Sequence, residues 1–387
     1  MTKIEGKVLE INSLQGTKQG AYDWHELARE HLIQTGFNIS KSQPCYFYKW
    51  DGECFSQVRL YVDDFRISSD TEEMLNKYRD SLDKGKGGAF PVKVLPGDHW
   101  LGMSIDHHRE AGLMYVSLKS YIAKALEEYG MVDCTPQKTP AEPKVKLIKP
   151  SEGVIDLEAL KFPYRSLLGT LLWLARTGRP DITYAVNQLQ QFCNSWDSTH
   201  VTAAKRILRY LKGSIELKMT FRRGDGFTLA AYADSDFAAE PEGNDYPMRS
   251  ISGLVAYIHG VGPIFSSAVL EKTISLSTAE AEYKCVAKAA QFCIGIRQFL
   301  DEIGFPQKDP TIIMNDNMAA VTMVKQDFSS SSTRHIKIKF HLIREAIKNE
   351  EVRVLHRPTE EMIADIMTKA LERVKFEHFR EILLNSL

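Results

Sequence analysis

Apolar residues recur along the chain in two rhythms, one helical and one strand-like. Trp24 to Thr35 puts Leu27, Leu32 and Ile33 on one side at helical spacing, and Gly36 ends it. Cys45 to Trp50 and Phe55 to Ile67 read as strands. The second is interrupted by the adjacent acids Asp63 and Asp64, as at a hairpin tip. Asp70 to Leu82 reads as an amphipathic helix. Val92 to Ile105 and Leu113 to Leu118 read as strands around a polar run containing His107 and His108, taken as solvated loop. Ser120 to Tyr129 reads as a helix stopped by Gly130. Pro136, Pro140, Pro143 and Pro150 then break every period from Thr135 to Pro150, as in an extended linker at a domain boundary.

Beyond that linker the helical rhythm returns. Phe162 to Ala175 and Asp181 to Phe192 flank the break at Arg179-Pro180. His200 to Leu211 carries the apolar stripe Val201, Ala204, Leu208 and Leu211. A second face of it lines up Lys205, Arg209 and Lys212, which suits a phosphate backbone and equally suits a solvated helix face. Strands are then expected over Leu229 to Phe237, Ile251 to Ile258, Pro263 to Ser267 with Lys272 to Leu276, Thr311 to Met314, and Val352 to His356. Helices are expected over Thr278 to Ile303, Met318 to Lys325, Phe340 to Asn349, Glu361 to Ala370, and from Val374 onward. The alternation is an α/β layer pattern.

Composition narrows the class. A chain of 387 residues that is 43% hydrophobic and 26% charged has room for two or three domains. No apolar run reaches the ~20 residues of a membrane span, and Met1 to Glu5 lacks a signal-peptide core, so secretion is not expected. The six cysteines form no C-x-x-C, as expected of reduced thiols in a cytosolic or nuclear protein. Net charge is -1, yet Thr135 to Asp225 holds 8 Lys and 7 Arg against 8 acids. A basic middle suits a nucleic-acid surface.

The acids add chemistry. Asp234 and Asp236 close one strand, Glu282 lies near the start of the long helix, and Asp316 follows another strand. Asp365 sits among Met362, Ile363, Ala364, Ile366 and Met367. Singly, each fits a solvated position. Together, in strand–helix–strand–helix order, they fit a nuclease site holding two Mg2+ or Mn2+ ions roughly 4 Å apart.

Several motifs give this order a family likeness. The pieces "YADSDFA", "RSISG", "SLSTAEAEY", "NDN", "TRHIKIKFHLIRE" and "RPTEEMIADIMTKAL" resemble the ribonuclease H domain of copia-type retrotransposon Pol polyproteins. Upstream, "SLQGTKQGAYDW", "LYVDDF", "YRSLLGTLLWLARTGRPDITYAVNQLQQF" and "AAKRILRYLKGS" resemble the reverse transcriptase of the same polyproteins. The resemblance implies a partial reverse-transcriptase palm over 1–134, a linker and basic helical thumb or connection over 135–225, and a ribonuclease H-like mixed-sheet domain over 226–387. It assigns Asp234, Glu282, Asp316 and Asp365 as catalytic metal ligands, with Glu280 the runner-up to Glu282 and Asp236 in support. It makes His356 an aid to product release, and gives polymerase roles to Asp63, Asp64, Lys18 and Gln19.

The same resemblance implies RNA–DNA hybrid, RNA template and DNA primer as partners, in a cytoplasmic virus-like particle or the nucleus. The family's polymerase uses a third acid upstream of "SLQGTKQ", so synthesis is expected to need a separate N-terminal part of the polymerase. Where the family has "LYGLKQAPRAW" and "SSKKQ", this chain has "LQGTKQGAYDW" and "SSAVLE". The alternative to a hybrid ribonuclease is a catalytically inactive nucleic-acid-binding remnant.

Overall fold

The computed structural model describes residues 2–4, 7–9, 17–151, 156–224, 226–325 and 342–385. The chain divides into two compact units: Met1–Leu95 with Gln298–Pro306, and Pro96–Arg297 with Gln307–Leu387. This division falls at residues 95 and 96, upstream of the proline-rich stretch. Among the described residues no helix is long and apolar enough to cross a membrane.

The first unit begins with a ribbon of β1 (Thr2–Ile4) and β2 (Lys7–Leu9). Helix α1 (Lys18–Gln34) starts before Trp24 because the Thr17 hydroxyl accepts the N–H of Gly20 and caps it. Strands β3 (Asn38–Ile39), β4 (Tyr46–Asp51), β5 (Cys54–Tyr61) and β6 (Asp64–Ser69) form an antiparallel sheet in that order. Helix α2 (Glu72–Leu82) is capped by Thr71. Phe47, Val58 and Leu60 share a core with Ala28 and Leu32 of α1 and Tyr78 and Leu82 of α2. The run Phe55 to Ile67 is thus a hairpin. Val62 and Asp63 form its turn, Val62 at φ 54, and the indole N–H of Trp24 donates to Val62 O at 2.7 Å.

The second unit starts with β7 (His99–Trp100), β8 (Met103–His108) and β9 (Leu113–Ser117). The strand expected from Val92 shrinks to β7 and β8, because Leu101 and Gly102 both adopt left-handed backbone and turn the chain. His107 and His108 lie within β8, not in a loop, with exposed side chains. Helices α3 (Lys119–Glu128), α4 (Leu157–Lys161), α5 (Tyr164–Thr177), α6 (Thr183–Gln190) and α7 (Ser198–Gly213) follow, and β10 (Lys218–Arg222) pairs with β9. Leu167, Leu171 and Leu174 of α5 share a core with Val186 and Leu189 of α6 and Leu208 and Leu211 of α7. Arg179 is wholly buried and sets its fork on Asp181 at 2.8 and 3.0 Å, while Asp181 also accepts from the Tyr210 hydroxyl.

A five-stranded sheet completes this unit. Its strands are β11 (Leu229–Asp236), β12 (Ile251–Ile258), β13 (Gly262–Leu270), β14 (Thr311–Asn315) and β15 (Val352–His356), in the order β13-β12-β11-β14-β15. The first three are antiparallel, and β14 and β15 run parallel to β11. Lys272 to Leu276 adds no strand. The long helix α8 (Thr278–Glu302) joins β13 to β14, and α9 (Met318–Lys325) follows β14. Small residues on both sides, Ala231, Ala233 and Ala256 against Ala287, Ala289 and Ala290, let α8 lie close on the sheet. Residues 342–348 are helical, whereas the start of that element and most of "TRHIKIKFHLIRE" lie outside the described residues. The helix expected over Glu361 to Ala370 is reduced to α10 (Asp365–Thr368), followed by α11 (Arg373–Leu383). Every residue from Met362 to Thr368 is buried, so this segment has no solvated stripe from which a helical period could be read.

Candidate active site

Strands β11 and β14 are parallel neighbours in the register Tyr232↔Met314, so their carboxyl ends open at the same edge of the sheet. Asp234 and Asp316 each lie two residues beyond that pair. The edge outside parallel strand ends is where open α/β sheets bind ligands. Helix α8 begins at the same edge and brings Glu282. One carboxylate oxygen from each of Asp234, Glu282 and Asp316 lies within 4.8 Å of the other two. Asp234 and Glu282 are buried and Asp316 is half-buried.

Hydrogen bonds fix each acid differently. Thr368 of α10 donates its hydroxyl to Asp234 Oδ2 at 2.5 Å. Asn315 donates its amide to Glu282 Oε2 at 2.9 Å. Thr359 donates to Asp316 Oδ2 at 2.8 Å. Burial pushes the Asp234 carboxyl well above the usual carboxylate range, and the charge of Asp365 adds to this, against the pull of Lys369. Glu282 is pushed up by burial and then by Asp234, with the Asn315 hydrogen bond opposing. Three oxygen donors crowded at a buried edge, two held against ionisation, form a site that a divalent cation would neutralise. All-oxygen sets suit hard ions.

Asp365 stands beside this group without joining it. Its carboxylate is fully buried, with Lys369 Nζ 2.6 Å from Oδ1 and Lys375 Nζ 2.6 Å from Oδ2. The expected group of four is therefore three acids plus an acid clamped by two lysines. Lys369 in turn is held in its charged form: burial opposes it, but Asp234 and Asp365 outweigh burial. Asp236 is half-buried and 4.0 Å from Lys146 Nζ. Burial raises its carboxyl, with Lys146 opposing. Glu280 turns away to Lys284 at 2.8 Å and to the N–H of Leu276. His356 is exposed at the end of β15, its Nε2 3.1 Å from Asp316 O.

The other proposed residues lie elsewhere. Asp63 and Asp64 are exposed at the β5–β6 turn. Among the described residues no third acid gathers with them. Lys18 and Gln19 occupy the first turn of α1, exposed, with Gln19 donating to Asp23. The proline-rich stretch 135–150 runs without helix or strand, with Thr139 and Pro140 buried along it, and α7 holds its start. Arg209 Nε donates to Thr135 O at 2.6 Å and Lys212 Nζ to Cys134 O at 2.8 Å. Lys205 Nζ lies over the Phe162 ring at 4.8 Å. The row of cations on α7 is thus engaged with the chain itself rather than left as a free stripe.

Sequence reasoning missed Asn315, Thr368, Lys369 and Lys375, whose roles depend on which atoms converge. Gly253 of β12 was also missed. A Cβ there would meet Thr368 Cγ2 at 2.7 Å, Met367 Cβ at 2.8 Å and Ala364 O at 2.9 Å, so only glycine lets α10 approach Asp234. The signal available was a glycine inside an apolar strand, which marks close backbone approach.

Residues 2–143 match the family model described as Reverse transcriptase (RNA-dependent DNA polymerase). The chain is 32% identical over 369 residues to the Retrovirus-related Pol polyprotein from transposon RE1 of Arabidopsis thaliana, covering 95% of this chain and 24% of that one. It is 31% identical over 389 residues to the Retrovirus-related Pol polyprotein from transposon TNT 1-94 of Nicotiana tabacum, covering 98% of this chain and 28% of that one. The chain spans about a quarter of the length of these curated relatives. Among solved structures, LC11-RNase H1 in complex with RNA/DNA hybrid aligns at 15% identity and a TM-score of 0.28, over 36% of this chain and 93% of that chain. From the reverse-transcriptase match at one end to sequence identity along nearly its whole length, the chain belongs to the copia-type retrovirus-related Pol polyproteins of transposons.

Proposed function

We propose that this chain hydrolyses the RNA strand of an RNA–DNA hybrid with Mg2+ or Mn2+, and that its polymerase residues act on RNA template and DNA primer only when a separate N-terminal part of the polymerase is supplied. The observation that carries the reading is the convergence of Asp234, Glu282 and Asp316 within 4.8 Å at the carboxyl edge of β11 and β14. A divalent ion bound there supplies Lewis-acid stabilisation of phosphate charge and a water of lowered pKa. The protein's own part is to hold the acids. Thr368 fixes Asp234, Asn315 fixes Glu282, and Thr359 fixes Asp316. Asp365 would join once Lys369 and Lys375 release it, and those two cations then face the same edge where a phosphate would arrive. The hybrid would be chosen by its 2′-hydroxyls and helix shape rather than by base sequence.

The lysine clamp on Asp365 favours a second reading, a nucleic-acid-binding remnant without catalysis. Labelled RNA annealed to DNA, incubated with the chain and Mg2+, separates the two. The hydrolase reading expects cleavage that an Asp234→Asn Asp316→Asn double variant lacks. Equal rates for both proteins would sink it.

A further inference from the structure

Asn315 is the last residue of β14 and is fully buried, at 0% exposure. Its neighbours Ile313 and Met314 are apolar, as a central strand requires. A carboxamide in that place is costly unless every polar atom is used. Here each is used. Nδ2 donates to Ala233 O at 2.8 Å and to Glu282 Oε2 at 2.9 Å, and Oδ1 accepts from the N–H of Asn317 at 3.0 Å. The reverse placement of the amide would set Oδ1 against two acceptors, so the amide has one workable orientation.

We propose that Asn315 is a positioning residue that sets the direction in which Glu282 presents its carboxylate to Asp234 and Asp316. One hydrogen of the amide is anchored to β11, on the residue before Asp234. The other reaches α8. The same side chain therefore ties the acid of the central strand to the acid of the helix, and its Oδ1 steers the turn that follows Asp316. Glu282 has three rotatable bonds to order, and ordering them in advance removes an entropy cost from ion binding. This inference rests on the reading of the acid group as a cation site.

The experiment is Mn2+ binding to the full chain without nucleic acid, followed by electron paramagnetic resonance. It compares wild type, Asn315→Leu, Glu282→Gln and the double variant. Loss of a hydrogen-bonding partner behind a metal ligand costs about tenfold or more in affinity. Asn315→Leu is expected to weaken Mn2+ by that factor, and to add nothing once Glu282 is already Gln. Unchanged affinity in Asn315→Leu, or an equal loss in both backgrounds, overturns the proposal. Asn315→Ser leaves a hydroxyl in the buried space and carries the same expectation should the leucine variant fail to fold by circular dichroism. If wild type binds no Mn2+, the cation-site reading itself fails, and that outcome is distinct from a bound ion that ignores Asn315.

Discussion

Two sets of acids in this chain carry proposed catalytic roles and differ in what the fold does with them. Asp63 and Asp64 are adjacent on a hairpin turn, exposed, with the Val62 carbonyl between the strands tied to Trp24. Asp234, Glu282 and Asp316 are far apart in sequence, come from two strand ends and a helix, and meet within 4.8 Å. Among the described residues no third acid gathers with the adjacent pair. Carboxylates delivered by separate rigid elements can be forced together, and the cost of that crowding is visible in the raised carboxyls of Asp234 and Glu282. A cluster that is unfavourable without a cation is the stronger sign of a cation site.

The largest expected effect contrasts the two motifs directly. Glu282→Gln should slow hybrid cleavage at least about a hundredfold, since each lost decade is ~1.4 kcal/mol of barrier and a ligand to the ion supplies several. Asp64→Asn should leave that rate within about threefold. Cleavage lost in Asp64→Asn to the same degree would mean that the two motifs act in one reaction, and the contrast would collapse. Glu280→Gln is the inner control, because Glu280 is occupied by Lys284.

A second contrast uses glycines. Gly253→Ala drives a Cβ into Thr368, Met367 and the Ala364 carbonyl, all three residues being themselves buried. It should cost about 1–3 kcal/mol in urea unfolding and lower cleavage as well, by moving Thr368 off Asp234. Gly52, in the β4–β5 turn, has nothing within 4 Å of its Cβ position but sits at φ +63. Gly52→Ala should cost about 1 kcal/mol through backbone strain alone, with cleavage unchanged. Equal effects on cleavage would show that α10 is not what holds the site.

These contrasts also mark what a sequence can disclose. Strands β11, β12, β14 and β15 and helix α8 were legible because each keeps one rhythm over its length and ends at a recognisable change. Asp234 and Asp316 were legible because an acid at the end of an apolar strand breaks its rhythm. The fate of Asp365 was not, because its lysines are four and ten residues on in sequence, and only the fold decides whether Lys375 reaches it. The role of Asn315 was hidden for the same reason: its partners Ala233 and Glu282 lie far away along the chain. The extent of α1 was hidden by a local event, a threonine cap before Lys18 and Gln19.

Acidity gives a third, smaller test. Asp234 and Glu282 have carboxyls raised above the unfolded range by burial first and by neighbouring acids second. Between the ordinary carboxylate range and their raised values, the folded chain holds protons that the unfolded chain has released. Stability therefore falls as pH rises through that window. Without divalent ions, an Asp234→Asn Glu282→Gln variant should be more stable than wild type at pH 8, by about 1–2 kcal/mol. The difference should shrink toward zero as pH falls to the ordinary carboxylate range. Mg2+ should raise the unfolding midpoint of wild type at pH 8 and leave the variant where it is. A variant less stable than wild type at pH 8 would show that these acids are not under strain.

The smallest effect concerns cations and applies the same distinction between an exposed group and an engaged one. Arg209 and Lys212 donate to the carbonyls of Thr135 and Cys134, and Lys205 covers the Phe162 ring. Groups already engaged release few counterions when nucleic acid binds. A triple Lys205→Ala Arg209→Ala Lys212→Ala variant should therefore change the salt slope of hybrid binding by less than about one, where three phosphate contacts would remove about three. Its main loss should be stability, about 1 kcal/mol for each hydrogen bond removed, felt at residues 134–139 that α7 holds. A salt slope reduced by about three, with stability unchanged, would mean instead that these side chains leave the protein for the phosphates and that the contacts to Thr135 and Cys134 are what they exchange.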